Sequence, residues 1–290
     1  MLSWQYALAA AAGLAIAAAA SRLGRRAARR AGHEGAWRRW GLPGPWAGVA
    51  LESSLLFGLY ALWQFAGSFT VMGKSGALTR ARWLWDAERW LHLPSETALQ
   101  QPLLPHPLLV EACNLYYAIL HFPLLGACLI WLYARHRASY PHVRTTVALF
   151  TGVSLLIQLI PVAPPRLLPL TGMVDTAVRY GQSVYAWNGG FDADEFSAMP
   201  SVHIGWAVIV AIAVITVSRS RWRWLAAAYP VVTLLVVVMT ANHFWLDGVV
   251  AAVLVVLVLV VQRMAGGLRS DNSFEKARDE PVRGEMSVRS

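Results

Sequence analysis

The chain has 290 residues, 57% of them hydrophobic and only 14% charged, with a mean hydropathy of +0.45. A water-soluble domain carries about 25% charged residues, so composition excludes that class and points to an integral membrane protein. The net charge of +9 would suit a nucleic-acid binder, but the arginines cluster between apolar stretches, where they act as topology signals.

Apolar stretches approaching the roughly 20 residues that cross a hydrocarbon core of about 30 Å recur at about 3–20, 46–68, 108–134, 145–162, 203–218, 224–242 and 246–263. They predict an all-α, polytopic integral membrane helical bundle. The first stretch lacks a basic leader and is followed by arginines, so it reads as an uncleaved anchor rather than a signal peptide. Residues 1–45 then form an N-terminal transmembrane anchor with a basic, Gly/Pro-punctuated cytoplasmic linker. Arg22, Arg25, Arg26, Arg29, Arg30, Arg38 and Arg39 follow the first stretch. Arg135, Arg137 and Arg144 follow the third, and Arg219, Arg221 and Arg223 the fifth. These loops alternate, so the positive-inside rule puts them all in the cytoplasm and the N-terminus outside.

Between the second and third stretches, Arg80 to Leu93 reads as an amphipathic helix lying in the outer interface. Trp83, Leu84, Ala87, Trp90 and Leu91 would share one face, and Arg82, Asp86 and Arg89 the other. A scaffold role is its simplest reading. In the third stretch Asn114, Tyr117 and His121 share a face, either as a polar seam between helices or as the lining of an acceptor headgroup site. Cys113 and Cys128 lie on the same stretch, roughly 22 Å apart in rise, too far to bridge.

The loop 163–202 falls on the outer side. Its Asp175 and Arg179 read as a solvated pair, and Asp192, Asp194 and Glu195 as an exposed acidic run without metal-site spacing. Beyond residue 264 the segment 265–290 has mixed charge and no apolar periodicity, the pattern of a disordered cytoplasmic tail. Residues 46–264 remain as a six-helix membrane domain, without an internal repeat.

The chemistry concentrates at the outer ends of three stretches. Arg166 closes Pro161-Val162-Ala163-Pro164-Pro165-Arg166, Ser201 and His203 open the fifth stretch, and His243 and Asp247 straddle the turn between the last two. On a helix His243 and Asp247 share a face. An aspartate within a span costs on the order of 2.5–3.5 kcal/mol, which a structural hydrogen bond averaging about 0.6 kcal/mol does not offset. These are the parts of phosphoryl transfer. One imidazole attacks phosphorus and a carboxylate fixes its tautomer. A second imidazole moves the proton of the leaving or incoming hydroxyl. Arginine and a Pro-Ser helix start hold phosphate oxygens.

Ala163-Pro164-Pro165-Arg166, Met199-Pro200-Ser201-Val202-His203 and Thr240-Ala241-Asn242-His243 through Asp247 resemble, in order, the three motifs of the type 2 phosphatidic acid phosphatase superfamily. The match is closest to its inositol phosphorylceramide synthase-like (inositolphosphotransferase) branch. It covers about 46–263 and implies a six-helix phosphatase-type core, to which this chain adds one N-terminal transmembrane helix. The resemblance implies His243 as nucleophile, Asp247 as its orienter and His203 as general acid/base. Arg166 and Ser201 would bind phosphate, with no metal or other cofactor.

Two cations of the phosphatase pattern fall on Leu159 and Val237 in this chain, which favours the synthase-like branch. The implied activity is transfer of a phosphoryl or phosphoinositol-type headgroup from a lipid to a hydroxyl acceptor, at the extracytoplasmic face of the cell membrane. The alternative acceptor is water, making a lipid phosphate or polyprenyl diphosphate phosphatase. A transporter with a His/Asp relay would need ionisable groups near mid-bilayer and repeated halves. An intramembrane metalloenzyme would need His-Glu-x-x-His or a comparable ligand set.

Overall fold

The computed structural model describes residues 4–30, 44–70, 76–182 and 195–278. Within these the protein is helical, with one parallel β-bridge, Val162 to Ser197, and no strand. The helices are α1 (Trp4–Arg30), α2 (Gly44–Thr70), α3 (Ala77–Trp90), α4 (Glu96–Gln100), α5 (Pro107–Arg135), α6 (Tyr140–Gln158), α7 (Thr176–Arg179), α8 (Val202–Val217), α9 (Ala228–Met239) and α10 (Trp245–Arg278). Four segments are long and apolar enough to cross a membrane: Gln5–Gly24, Pro107–Arg135, Arg221–Met239 and Trp245–Ala265. Ala47–Leu62 and Val202–Val217 are apolar over shorter lengths.

Several boundaries differ from those expected. α1 continues through the first arginines to Arg30, because Ala and Arg are both strong helix formers. The linker expected over 21–45 is therefore helical in its first part, and 31–43 lie outside the described residues. α6 begins at Tyr140, with Pro141 in its first turn, and stops at Gln158 ahead of Pro161. α10 runs to Arg278, so the segment expected to lack structure from 265 is helical to that point. Residues 279–290 are outside the described part.

α1 and α2 pair through small residues, with Ala7, Ala11, Ala18, Ala47, Ala50 and Ala61 all buried. Small side chains let helix backbones approach closely where lipid supplies no hydrophobic drive. The pair is tied to α6 where Glu52 accepts from Arg144 Nη1 at 2.6 Å and from the Tyr140 hydroxyl at 3.0 Å. The main core joins the second half of α5 to α6, α8, α9 and α10, around Leu132, Phe150, Ile209, Val237, Ala251 and Val255.

Two glycines set how closely these helices approach. A Cβ on Gly205 of α8 would lie 1.9 Å from the Phe150 ring of α6. A Cβ on Gly248 of α10 would lie 2.8 Å from methyl carbons of both Ile204 and Leu234. Each sits within two residues of a histidine or aspartate of the three motifs, so close packing fixes where those side chains begin.

Above the core, short elements lock the connecting loops. The buried Gln100 of α4 donates to the carbonyls of Val174 and Met239 and accepts from the Val174 amide. Removing such a buried partner orphans groups at about 1–3 kcal/mol each. α3 buries Ala77, Ala81 and Glu88 against the loops, with Leu84 and Trp85 half-buried, and leaves Trp83, Trp90 and Leu91 exposed. The expected apolar face is thus largely the outward one. The packed face is made of small residues and a carboxylate, which hydropathy alone does not reveal.

Candidate active site

The three motifs converge on one end of the bundle. α9 ends in a left-handed residue, Ala241 at φ 59°, which turns the chain so that the Asn242 and His243 amides both donate to the Val237 carbonyl. A non-glycine residue there costs roughly 1–2 kcal/mol, and the turn aims His243 into the bundle ahead of α10. The segment 196–200 is held from the other side. The Val162 amide donates to Phe196, the Ala198 amide donates to Val162, and Gln158 Nε2 donates to the Pro200 carbonyl at 3.2 Å.

These two supports bring His243 against Ala198. His243 Nδ1 lies 2.8 Å from the Ala198 carbonyl and 3.3 Å from Asp247 Oδ2. A carbonyl oxygen can only accept, so Nδ1 carries a proton, and the neutral form of this ring has its lone pair on Nε2. That Nε2 is buried and has no hydrogen-bond partner. Asp247, fully buried, also accepts from the Phe244 amide at 2.9 Å, while its own carbonyl accepts from the Ser201 amide at 3.3 Å. His243 and Asp247 thus meet on one face as their spacing implies, with a backbone carbonyl as a second acceptor.

His203 enters from the first turn of α8. Its ring centroid is 6.0 Å from that of His243, 4.8 Å from His121 and 4.5 Å from the Tyr117 ring. Its Nδ1 and the Nε2 of His121 are buried without partners, so three imidazole nitrogens in this small region stand unsatisfied. Ser201 caps α8 by accepting from the Ile204 amide at 3.4 Å. With its amide on the Asp247 carbonyl, it also latches α8 to α10.

Tyr117 and His121 reach the site, the first from within a π-helical turn over Tyr116–Leu120 and the second from just after it. Such turns recur at functional positions because they re-aim side chains within a helix. His121 Nδ1 lies 2.9 Å from the Tyr229 hydroxyl of α9. Asn114 does not join them. Its amide donates to Gln182 Oε1 and accepts from the Thr176 hydroxyl, both at 2.9 Å, which fixes the loop around α7. It takes the polar-seam alternative, tied to α7 and its loop, while Tyr117 and His121 face His203.

Arg166 sits deeper than a membrane-edge arginine, its side chain 2% exposed. Nη1 donates to Asn242 Oδ1 at 2.7 Å, Nε pairs with Asp175 at 3.1 Å and Nη2 with Glu195 at 3.3 Å. Two expectations are corrected here. Asp175 pairs with Arg166 rather than with Arg179, while capping α7 through the Val178 amide. Glu195 is an ion-pair partner rather than a free acidic residue, and Asp192 and Asp194 lie outside the described residues.

Sequence reading missed Asn242, the Ala198 carbonyl and Tyr229. Asn242 offered one signal, a polar residue between Thr240 and His243 at the end of an apolar helix. Backbone acceptors leave none.

Residues 82–261 match the family model described as the PAP2 superfamily. No curated protein and no solved structure matches the chain.

Proposed function

The chain belongs to the PAP2 superfamily, and from that premise we propose that it is a membrane-embedded lipid phosphotransferase working through a phosphohistidine at the extracytoplasmic face. The observation that carries this reading is the state of His243. Its Nδ1 proton is spent on Ala198 and Asp247, and its buried Nε2 stands open beside His203.

In this scheme His243 Nε2 attacks phosphorus and its bond to the leaving oxygen breaks. His203 delivers the proton that the departing alkoxide takes up. Asp247 stabilises the positive charge that grows on the imidazole, and the Ala198 carbonyl keeps the ring in register. An acceptor hydroxyl then gives its proton to His203 and takes the phosphoryl or phosphodiester group from His243. Arg166 and the Ser201 helix start hold the non-bridging oxygens. Tyr117 and His121 line the acceptor side. The scheme requires no metal.

Leu159 and Val237, standing where the phosphatase pattern has cations, support the inositol phosphorylceramide synthase-like branch over a hydrolase. The arginine clusters support the seven-span topology with the N-terminus and site outside and the C-terminus in the cytoplasm.

The test uses purified protein with headgroup-labelled phosphatidylinositol, phosphatidic acid and polyprenyl phosphates, with and without hydroxyl acceptors, and His243→Ala as control. A new acceptor-dependent diester supports the transferase. Free phosphate released without acceptor replaces it with a lipid phosphatase of the same mechanism. No turnover beyond the control on any substrate overturns both and returns the chain to the transporter reading.

A further inference from the structure

The fully buried Glu88 of α3 belongs to none of the three motifs, yet it meets the first turn of α10. Its Oε1 accepts from the Leu246 amide at 2.8 Å, one residue before Asp247. The same turn is held a second time, where Trp245 Nε1 donates to the Pro94 carbonyl at 2.8 Å. Pro94 also borders Arg89, whose Nη2 pairs at 2.9 Å with Glu96, another fully buried carboxyl. Apart from Glu96 and Glu88, which lie within hydrogen-bonding reach of each other, Glu88 Oε2 and Glu96 Oε1 have no further partner.

We propose that Glu88 is a positioning residue for the reaction, holding the start of α10 so that Asp247 keeps His243 aimed. This rests on the phosphohistidine reading above. A free helix-start amide needs an acceptor, and Glu88 supplies one from an element that lies outside the core. The charged groups facing it are Glu96 from α4 and Asp247 from α10, with Arg89 of its own helix turned onto Glu96.

Two acidic neighbours and full burial make a charged Glu88 costly. Burial first, and then Glu96, lift its pKa to about 9. It therefore holds the Leu246 amide as a neutral acid at pH 7. Ionisation above pH 9 would place a second negative charge beside Asp247 and disturb the clamp.

The experiment compares wild type, Glu88→Gln and Glu88→Ala as full chains in lipid nanodiscs. Two readouts are the turnover of labelled phosphatidic acid or phosphatidylinositol and the rate at which diethyl pyrocarbonate modifies His243, located by mass spectrometry. Glutamine keeps the acceptor oxygen and stays neutral. It should run within about twofold of wild type at pH 7 and lack the decline near pH 9. Alanine should lower kcat about tenfold or more, the scale of a misaligned reacting group, with KM within about twofold and an altered His243 modification rate.

A wild-type pH limb retained in Glu88→Gln overturns the proposal, even if the alanine variant fails to fold. So does an alanine variant with unchanged kcat and unchanged His243 reactivity. Absence of turnover in wild type defeats the phosphohistidine reading instead, and the modification rates then decide the Glu88 contact alone.

Discussion

His243 shares its Nδ1 proton between two acceptors, and the shorter contact is to the backbone of Ala198, at 2.8 Å against 3.3 Å for Asp247. The tautomer that leaves Nε2 open is therefore not set by the carboxylate alone. In a triad where the aspartate is the sole orienter, its amide variant loses about 10⁴ in kcat through the wrong tautomer.

Asp247→Asn should fall short of that loss. The Ala198 carbonyl still demands a proton on Nδ1, so what disappears is charge stabilisation of the imidazolium. The expected fall in kcat is on the order of 10²-fold, the smaller end of such electrostatic effects, with phosphoenzyme still trappable on His243. His243→Ala should yield no phosphoenzyme. Equal losses in the two variants would show that the carbonyl does not hold the tautomer.

Arg166 is already engaged by two carboxylates, so on the proposed scheme a phosphate would compete for its fork. Glu195 makes the longer contact and is the more exposed, 35% against 20% for Asp175. Glu195→Gln should tighten inhibition by orthovanadate, by up to about fivefold or ~1 kcal/mol, the scale of partly exposed ion pairs. Arg166→Lys should weaken it, because an ammonium cannot reproduce the bidentate geometry. Weaker vanadate inhibition in Glu195→Gln would mean that Glu195 orients Arg166 rather than competing for it.

How much of this was legible beforehand follows the nature of each signal. His203, His243 and Asp247 are polar groups in apolar surroundings, and the structure brings them together as the spacing implies. Composition was enough to give helices and membrane character. Glu88 and Asp175 were not legible, because their partners are a backbone amide 158 residues away and an arginine that only the folding of the loop 163–202 brings back onto Asp175. Asn114 takes the seam alternative and parts from His121 for a local reason. An α-helical period puts it on the face of His121, and the turn over Tyr116–Leu120 is π-helical.

That divergence separates two neighbours by experiment. Asn114→Ala orphans the Thr176 hydroxyl and releases Gln182, each worth about 1–3 kcal/mol where buried. Hydrogen exchange should rise over residues 171–182 while the KM for a hydroxyl acceptor stays unchanged. His121→Ala should raise that KM and leave phosphoenzyme formation intact. An acceptor KM raised by Asn114→Ala without faster exchange would restore Asn114 to the lining.

The last prediction concerns the packing beneath the histidines. Gly205 lies two residues after His203, and a Cβ there would sit 1.9 to 2.6 Å from three carbons of the buried Phe150 ring. An aromatic ring in a packed core cannot yield by that much without moving α6 or α8. Gly205→Ala should therefore lower stability by about 1–3 kcal/mol, the range for overpacking, and reduce kcat by shifting the start of α8. Phe150→Leu alone should destabilise by leaving space. Combined with Gly205→Ala it should recover part of both losses, because the added methyl occupies volume the ring vacates. Thermal unfolding in detergent, read beside turnover for the two single variants and the double, measures the coupling. Strict additivity would show that this contact does not govern the placement of His203.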